Sequence, residues 1–325
     1  KNLTAGKVVD YLLSLNYSNI ESASQVEQIK KSKSDPFLID YDEFIADSLN
    51  KFNRAIVTKN ADELEYLYSR GYTYEDLIYL KNYLGIDEHN NIVFACSRES
   101  FILRLLKPWH DKNGKEIRYK NSPRLEKTRH YCYLLDTVNQ DNIIKNNYNI
   151  FIFEGGFDTL TFRILCKNKC LAFSSGGADS NHNLIANKIN NIAGRLNYKV
   201  NVFILYDNDE AGKNAVIKAS YILKKYDFDV KCLVIDGNEK DPDEFLRKNG
   251  KKAFIEVVKK SEEVFDFLTK EASKDLDLED ISGERKFIER LKPFFSNITN
   301  NLSKNLYLQR LSVNFGINEF VLEES

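Results

Sequence analysis

The sequence predicts an α/β protein built on a parallel sheet, with a basic α+β segment before the sheet and a helical segment after it. Three observations carry this. Continuous apolar runs alternate with amphipathic stretches between residues 149 and 235, basic residues gather between 91 and 130, and residues 260 to 325 hold apolar side chains at helical spacing.

Residues 1–40 read as a helix-forming stretch closed by the polar connector QIKKSKSDP, which marks a boundary near residue 40. From 41 to 85 the apolar positions follow a helical period, and YLYSRGYTYEDLIYLKNYLG reads as two short helices broken at Gly71 and stopped at Gly85. NIVFACS and SFILRLLKPW read as strands, and the turn DKNG after them leads into a basic loop. The run NIFIF, TLTFRILCK, CLAFS, HNLIANKINNI, VNVFILYD, AGKNAVIKASYILKKY, DVKCLVI then alternates strand and helix. Its uninterrupted apolar strands are those of a parallel sheet covered on both faces. VFDFLTKEA, GERKFIERLKPFF and LYLQRLSVNFG read as helices. The expected division is therefore 1–40, 41–147, 148–258 and 259–325.

With 325 residues the chain is long enough for about two domains, each with its own core. No apolar run approaches the roughly 18 residues needed to cross a bilayer, and the first residues lack a secretory signal, so a cytoplasmic protein that does not enter the membrane is expected. The five cysteines (96, 132, 166, 170, 232) form no CxxC pair, which argues against a zinc knuckle or a disulfide framework. Cys166 and Cys170 are expected to pack in the core. The four histidines form no spaced set and are assigned no chemistry. Methionine is absent altogether, and the chain reads as a piece of a longer protein.

The net charge of −1 argues against a general polyanion binder, but the charges are segregated. Residues 91 to 130 hold ten Lys or Arg against four acids, a balance of +6, which leaves −7 for the remainder. That pattern suits a basic surface for phosphates beside an acidic region for cations.

The acidic region has a definite layout. Strand NIFIF ends in Glu154, with Asp158 four positions on at a helix start. Strand VFILY is followed by Asp207 and Asp209, which alternation points the same way if the strand continues, and then by Gly212, where the chain turns into a helix. Asp241 and Asp243 flank Pro242 after the next strand. In a parallel sheet these positions lie at the carboxyl ends of the strands, where ligands bind. Crowded carboxylates repel one another unless a divalent cation neutralises them. Oxygen ligands without His or Cys suit Mg²⁺ or Mn²⁺, so phosphoryl or nucleotidyl transfer is the chemistry expected. A lone Asp after a strand is more often a helix cap, and that reading competes for Asp158 taken singly.

EGGFDTL, LYDNDEAGKNA and KDPDEFL together resemble the three acidic motifs of a TOPRIM domain, specifically that of the DnaG-type primases of bacteria and phages. RYKNSPRLEKTRHYCYL and the RG helix pair upstream, and the helices downstream, are similar to the flanking parts of that family's RNA polymerase domain, over roughly residues 41 to 318. The resemblance implies a TOPRIM parallel sheet flanked by an N-terminal basic α+β subdomain and a C-terminal helical subdomain. It implies Glu154 as the catalytic glutamate, Asp207 and Asp209 as the metal-binding pair, and Asp158, Asp241 and Asp243 as accessory acids of the metal site. Arg104, Arg118, Lys120, Asn121, Lys127 and Arg129 fall where template and nucleotide are contacted. Two departures stand out. The family's LGTA-like loop is Ser-Gly-Gly-Ala at 175 to 178, and its NSPET is Asn-Ser-Pro-Arg at 121 to 124.

The resemblance further implies synthesis of short RNA primers on a single-stranded DNA template from ribonucleoside triphosphates, by two-metal nucleotidyl transfer with Mg²⁺ or Mn²⁺. It implies a replicative helicase as partner, through regions outside these residues, since the chain is read as ending before any helicase-binding segment. Trp109, Tyr119 and Tyr131 could stack on bases, although such rings are more often core. Two rivals use the same residues differently: a Mg²⁺-dependent TOPRIM nuclease, and a non-catalytic single-strand-binding module of a replication complex.

Overall fold

A computed structural model describes residues 41–97, 100–122, 130–167, 170–177, 181–196, 199–226, 228–235, 239 and 241–317. The chain divides into two compact units, Lys1–Thr137 and Val138–Ser325.

In the first unit, α1 (Tyr41–Thr58), α2 (Ala61–Ser69) and α3 (Tyr74–Leu80) precede β1 (Gly85–Ile86), β2 (Ile92–Ser97), β3 (Ser100–His110) and β4 (Glu116–Asn121). The four strands form an antiparallel meander in sequence order. The break between α2 and α3 is chemically specified. Thr73 and Asp76 cap α3 reciprocally: the Asp76 N–H donates to Thr73 Oγ1 at 3.2 Å, and the Thr73 N–H to Asp76 Oδ2 at 2.8 Å. The DKNG turn forms as its sequence predicts, with Asp111 Oδ1 accepting from the N–H groups of Asn113 and Lys115. The turn opens into strand β4 rather than the basic loop expected, because EIRYKN alternates along a hairpin register with β3. Gly85, read as a helix stop, instead opens β1.

In the second unit, α4 (Gln140–Lys145) leads into β5 (Asn149–Phe153), α5 (Gly156–Leu165), β6 (Leu171–Ser174), α6 (His182–Ala193), β7 (Asn201–Leu205), α7 (Glu210–Lys224), β8 (Asp229–Cys232), α8 (Pro242–Lys259), β9 (Glu262–Glu263), α9 (Val264–Ser273), α10 (Ile281–Asn297) and α11 (Asn301–Phe315). The strand order is β6-β5-β7-β8-β9, parallel but for β9, which pairs antiparallel with β8 at the edge. Every β5 residue has an apolar partner in register on β7 except Asn149, whose Oδ1 accepts from Asn201 Nδ2 at 2.9 Å. One face of the sheet packs Phe151, Phe153, Phe203 and Leu205 against Phe162 of α5 and Phe245, Leu246 and Phe254 of α8. Cys166 and Cys170 lie against this same cluster, as core packing predicts, and their thiols share a hydrogen bond.

The compact units meet at 137/138, ten residues before the division read from composition. The intervening residues belong with the sheet: Val138 and Ile143 are buried, and the Asn201 N–H donates to the Tyr148 carbonyl at 2.9 Å. The C-terminal helices also pack within the second unit. Tyr221 Oη of α7 donates to the Arg290 carbonyl of α10, and Arg310 of α11 bridges Glu263 and Asp266 at 2.7 Å each. No helix among the described residues is long and apolar enough to cross a membrane.

Candidate metal centre and nucleic-acid surface

The acids named from the sequence gather at the carboxyl ends of β5 and β7 and the N-terminus of α8, where a parallel α/β sheet places its ligands. They are not equivalent. Glu154 comes directly after the last residue of β5, and its Oε2 is buried with no hydrogen-bond partner among the described residues. Burial raises its pKa, the Asp207 N–H opposes that, and the Asp209 charge adds to the rise. Asp207 lies two residues past the end of β7. Burial, then the charges of Glu154, Asp241 and Asp209, pushes its carboxyl up to about 7. Because β7 stops at Leu205, strand alternation does not orient Asp207 and Asp209. Asp209 instead caps α7, its Oδ1 accepting the Gly212 N–H at 2.7 Å. A Cβ at Gly212 would stand 2.2 Å from the Asp207 carbonyl oxygen, so only glycine allows the first turn of α7 to lie against the Asp207 backbone.

The other three acids hold the scaffold. Asp158 is 6% exposed, and both its oxygens accept main-chain N–H groups: Oδ2 from Gly155 at 3.0 Å and Oδ1 from Asp243 at 2.9 Å. Burial, reinforced by the charges of Asp207, Asp243 and Asp241, raises its pKa well above the usual carboxyl range. Asp243 is 1% exposed; Oδ1 accepts from Thr161 Oγ1 at 2.5 Å and Oδ2 pairs with Arg247 at 2.9 Å. Asp241 caps α8 through the Glu244 N–H at 2.7 Å, with Pro242 at the first helical position.

Among the described residues no group of three or more His, Cys, Asp or Glu is placed so as to hold a metal ion by itself. Mg²⁺, however, is commonly bound by one or two carboxylates and completes its shell with water and phosphate. The chemistry of Glu154 and Asp207 fits such an ion: one buried oxygen lacks a donor, and the neighbouring carboxyl is held partly protonated by its surroundings.

His182, to which the sequence assigned nothing, opens α6 beside this rim and meets Tyr206, the residue before Asp207; Nε2 and the Tyr206 hydroxyl are 2.9 Å apart. Burial holds its pKa down at about 4, leaving a neutral imidazole at pH 7. No local signal joins these two residues across 24 positions. The Ser-Gly-Gly-Ala loop after β6 places Gly176 and Gly177 at φ 88° and 108°, which residues with side chains resist; Ala178 lies outside the described residues.

On the basic side, register splits the predicted contacts between two faces. Arg104 pairs with Tyr119 across β3 and β4, its guanidinium stands 4.9 Å from the Tyr119 ring, and its Nε donates to Tyr66 Oη at 2.9 Å. Asn121 shares that face by alternation along β4. Arg118 and Lys120 alternate to the opposite face, where Arg118 pairs with Glu116 at 2.9 Å. Lys127 and Arg129 lie outside the described residues. Tyr119 and Trp109 are about half exposed, at 47% and 52%, whereas Tyr131 is buried and donates to the Ser122 carbonyl, which makes it a core ring.

A family model described as Toprim-like matches residues 151–246, and one described as the DnaB-helicase binding domain of primase matches residues 265–319. The DNA primase of Clostridium acetobutylicum is 28% identical over 271 residues, covering 79% of this chain and 42% of that protein. The DNA primase of Legionella pneumophila is 24% identical over 228 residues, covering 64% and 37%. The chain thus spans about two fifths of the length of these curated relatives. Among solved structures, a DnaG catalytic core superposes with a TM-score of 0.65 at 18% identity, covering 87% of this chain and 100% of that one. The E. coli primase catalytic core gives 0.63 at 19%, covering 85% and 98%. At these identities the structural likeness establishes the fold.

The sheet order, the acidic rim and these matches define a protein with a TOPRIM α/β fold. Within that class its resemblance is to the DnaG-type primases, as the motifs implied. One expectation is corrected: the helicase-binding family match lies inside the chain, on α9 to α11, so the chain does not end before such a segment.

Proposed function

We propose that this chain carries the nucleotidyl-transfer centre of a DNA primase, extending RNA on single-stranded DNA with ribonucleoside triphosphates and Mg²⁺ or Mn²⁺. The observation that carries the reading is the Glu154–Asp207 pair: a buried carboxylate oxygen without a donor beside a carboxyl pushed up to about 7. Such a pair is stable as two anions only beside a cation.

Glu154 and Asp207 would hold the ion, and Asp209 would offer the oxygen not used in capping α7. When bound, the ion supplies charge neutralisation for the triphosphate and acidifies the attacking hydroxyl. With Glu154 Oε2 facing the ion, the proton of the primer 3′ hydroxyl would leave to solvent water. That hydroxyl oxygen bonds to the α-phosphorus as the bond to pyrophosphate breaks. Asp158 and Asp243 keep α5 and α8 in place, and Asp241 caps α8. Arg104, Asn121 and the exposed Tyr119 ring offer the template a cation, an amide and a stacking surface on one face of the meander. Arg118 and Lys120 add positive potential from the other. Residues 265–319 would dock the replicative helicase, a reading supported by the family match.

The test is extension of an RNA primer annealed to a longer DNA strand, with labelled NTPs and Mn²⁺. The wild-type chain is expected to add nucleotides, and Glu154→Gln and Asp207→Ala to lose at least about 100-fold in rate. Unaltered extension by either variant, or cutting of the DNA without NTPs, contradicts the proposal; the second outcome favours a nuclease.

A further inference from the structure

A buried polar contact at the tip of β7 takes no part in the transfer chemistry. Tyr206 and His182 are each 4% exposed and meet at 2.9 Å with rings stacked at a centroid distance of 6.2 Å. A phenyl ring would fill the same volume at position 206 but could not make this bond. Its location is specific. Tyr206 directly precedes Asp207, at the end of the strand that lies in register beside β5 and Glu154, with Leu205 opposite Phe153. His182 is the first residue of α6, whose start is fixed by Asn181 Oδ1 accepting the Leu184 N–H at 3.1 Å. The hydrogen bond therefore ties a capped helix end to the residue that leads into Asp207. Gly212 packs on the Asp207 carbonyl, so the Asp207 backbone is gripped from both sides.

We propose that Tyr206 and His182 are positioning residues: their hydrogen bond fixes the β7 tip so that the Asp207 carboxylate is held beside that of Glu154, ready for a divalent cation. This rests on the reading of Glu154 and Asp207 as the ion's ligands. Groups of this kind, one step removed from a metal, commonly change affinity for the ion by about 10- to 100-fold. A contact that merely filled the core would change thermal stability and leave ion affinity as it was.

The experiment is Mn²⁺ binding to the full chain by electron paramagnetic resonance, at a temperature well below every variant's melting point. Tyr206→Phe is expected to weaken binding on the order of 10-fold. His182→Leu should do the same, and the double variant should do no worse than either single one, because both remove one bond. His182→Gln, which keeps a polar group at that position, should recover part of the loss. Wild-type affinity in Tyr206→Phe, or additive losses in the double variant, overturns the proposal. If wild-type binding is itself unaffected by Asp207→Ala, the underlying reading of the metal site falls instead, which separates the two failures.

Discussion

The Asp158 carboxylate accepts the Asp243 main-chain N–H at 2.9 Å, joining the first and third acidic motifs across 85 residues. With Asp158 Oδ2 taken by the Gly155 N–H and Asp243 held by Thr161 and Arg247, these two acids form a buried brace beneath the rim. Asp158→Ala removes an acceptor from two main-chain donors and is expected to cost about 2 to 4 kcal/mol in urea unfolding. Asp158→Asn keeps one acceptor and should cost less. A loss of activity at unchanged stability would instead make Asp158 a ligand.

Gly212 gives a sharper steric prediction. Its Cβ position lies 2.2 Å from the Asp207 carbonyl oxygen, so Gly212→Ala must displace the Asp207 backbone or the first turn of α7. The expected cost is about 1 to 3 kcal/mol of stability. A displacement of about 1 Å at a reacting centre lowers primer extension by about 100-fold. Extension kinetics beside a denaturant titration check both.

Asp207 sets a pH dependence of defined sign. Its folded pKa of about 7 stands above the unfolded value of 3.8, so between them the folded chain keeps a proton that the unfolded chain has lost. In chelator, this group's contribution is fully present below the unfolded value and is lost as pH rises through about 7. Because the site is partly solvated, the loss is expected to be about 1 to 2 kcal/mol. Asp207→Asn should remove that part of the slope, and saturating Mn²⁺ should offset it in the wild type. Melting curves across the range from mildly acidic to mildly alkaline pH decide; an equal slope in wild type and Asp207→Asn refutes the assignment.

Much of this was legible in sequence. The acids come after buried apolar strands, so their position at one sheet edge is dictated by period and topology alone. What could not be read was how each side chain is used. The capping of α7 by Asp209 and the brace of Asp158 and Asp243 depend on where strands stop and helices meet, and β7 ends before alternation can align Asp207 with Asp209. Strand β9 has two residues, too few to carry a period, and β4 is so charged that it reads as a loop. The His182–Tyr206 contact joins distant segments with no local pattern.

The β3–β4 hairpin places the basic residues on two different faces. Arg104 lies with Tyr119 and Tyr66, whereas Arg118 is turned to the other face and paired with Glu116. Arg104→Ala is expected to weaken binding of a labelled single strand by about 5- to 10-fold and reduce its salt dependence by about one counterion. Arg118→Ala should change affinity by about twofold or less. Fluorescence anisotropy at several salt concentrations measures both, and equal losses would mean that the template does not favour the Arg104 face.

Glu154 and Asp207 are held to share one divalent ion, and anomalous diffraction from crystals grown in manganese would locate it. The expected result is a peak in contact with the carboxylates of Glu154 and Asp207, absent in Asp207→Ala; a fully occupied peak elsewhere, with those two side chains turned apart, would refute the shared site.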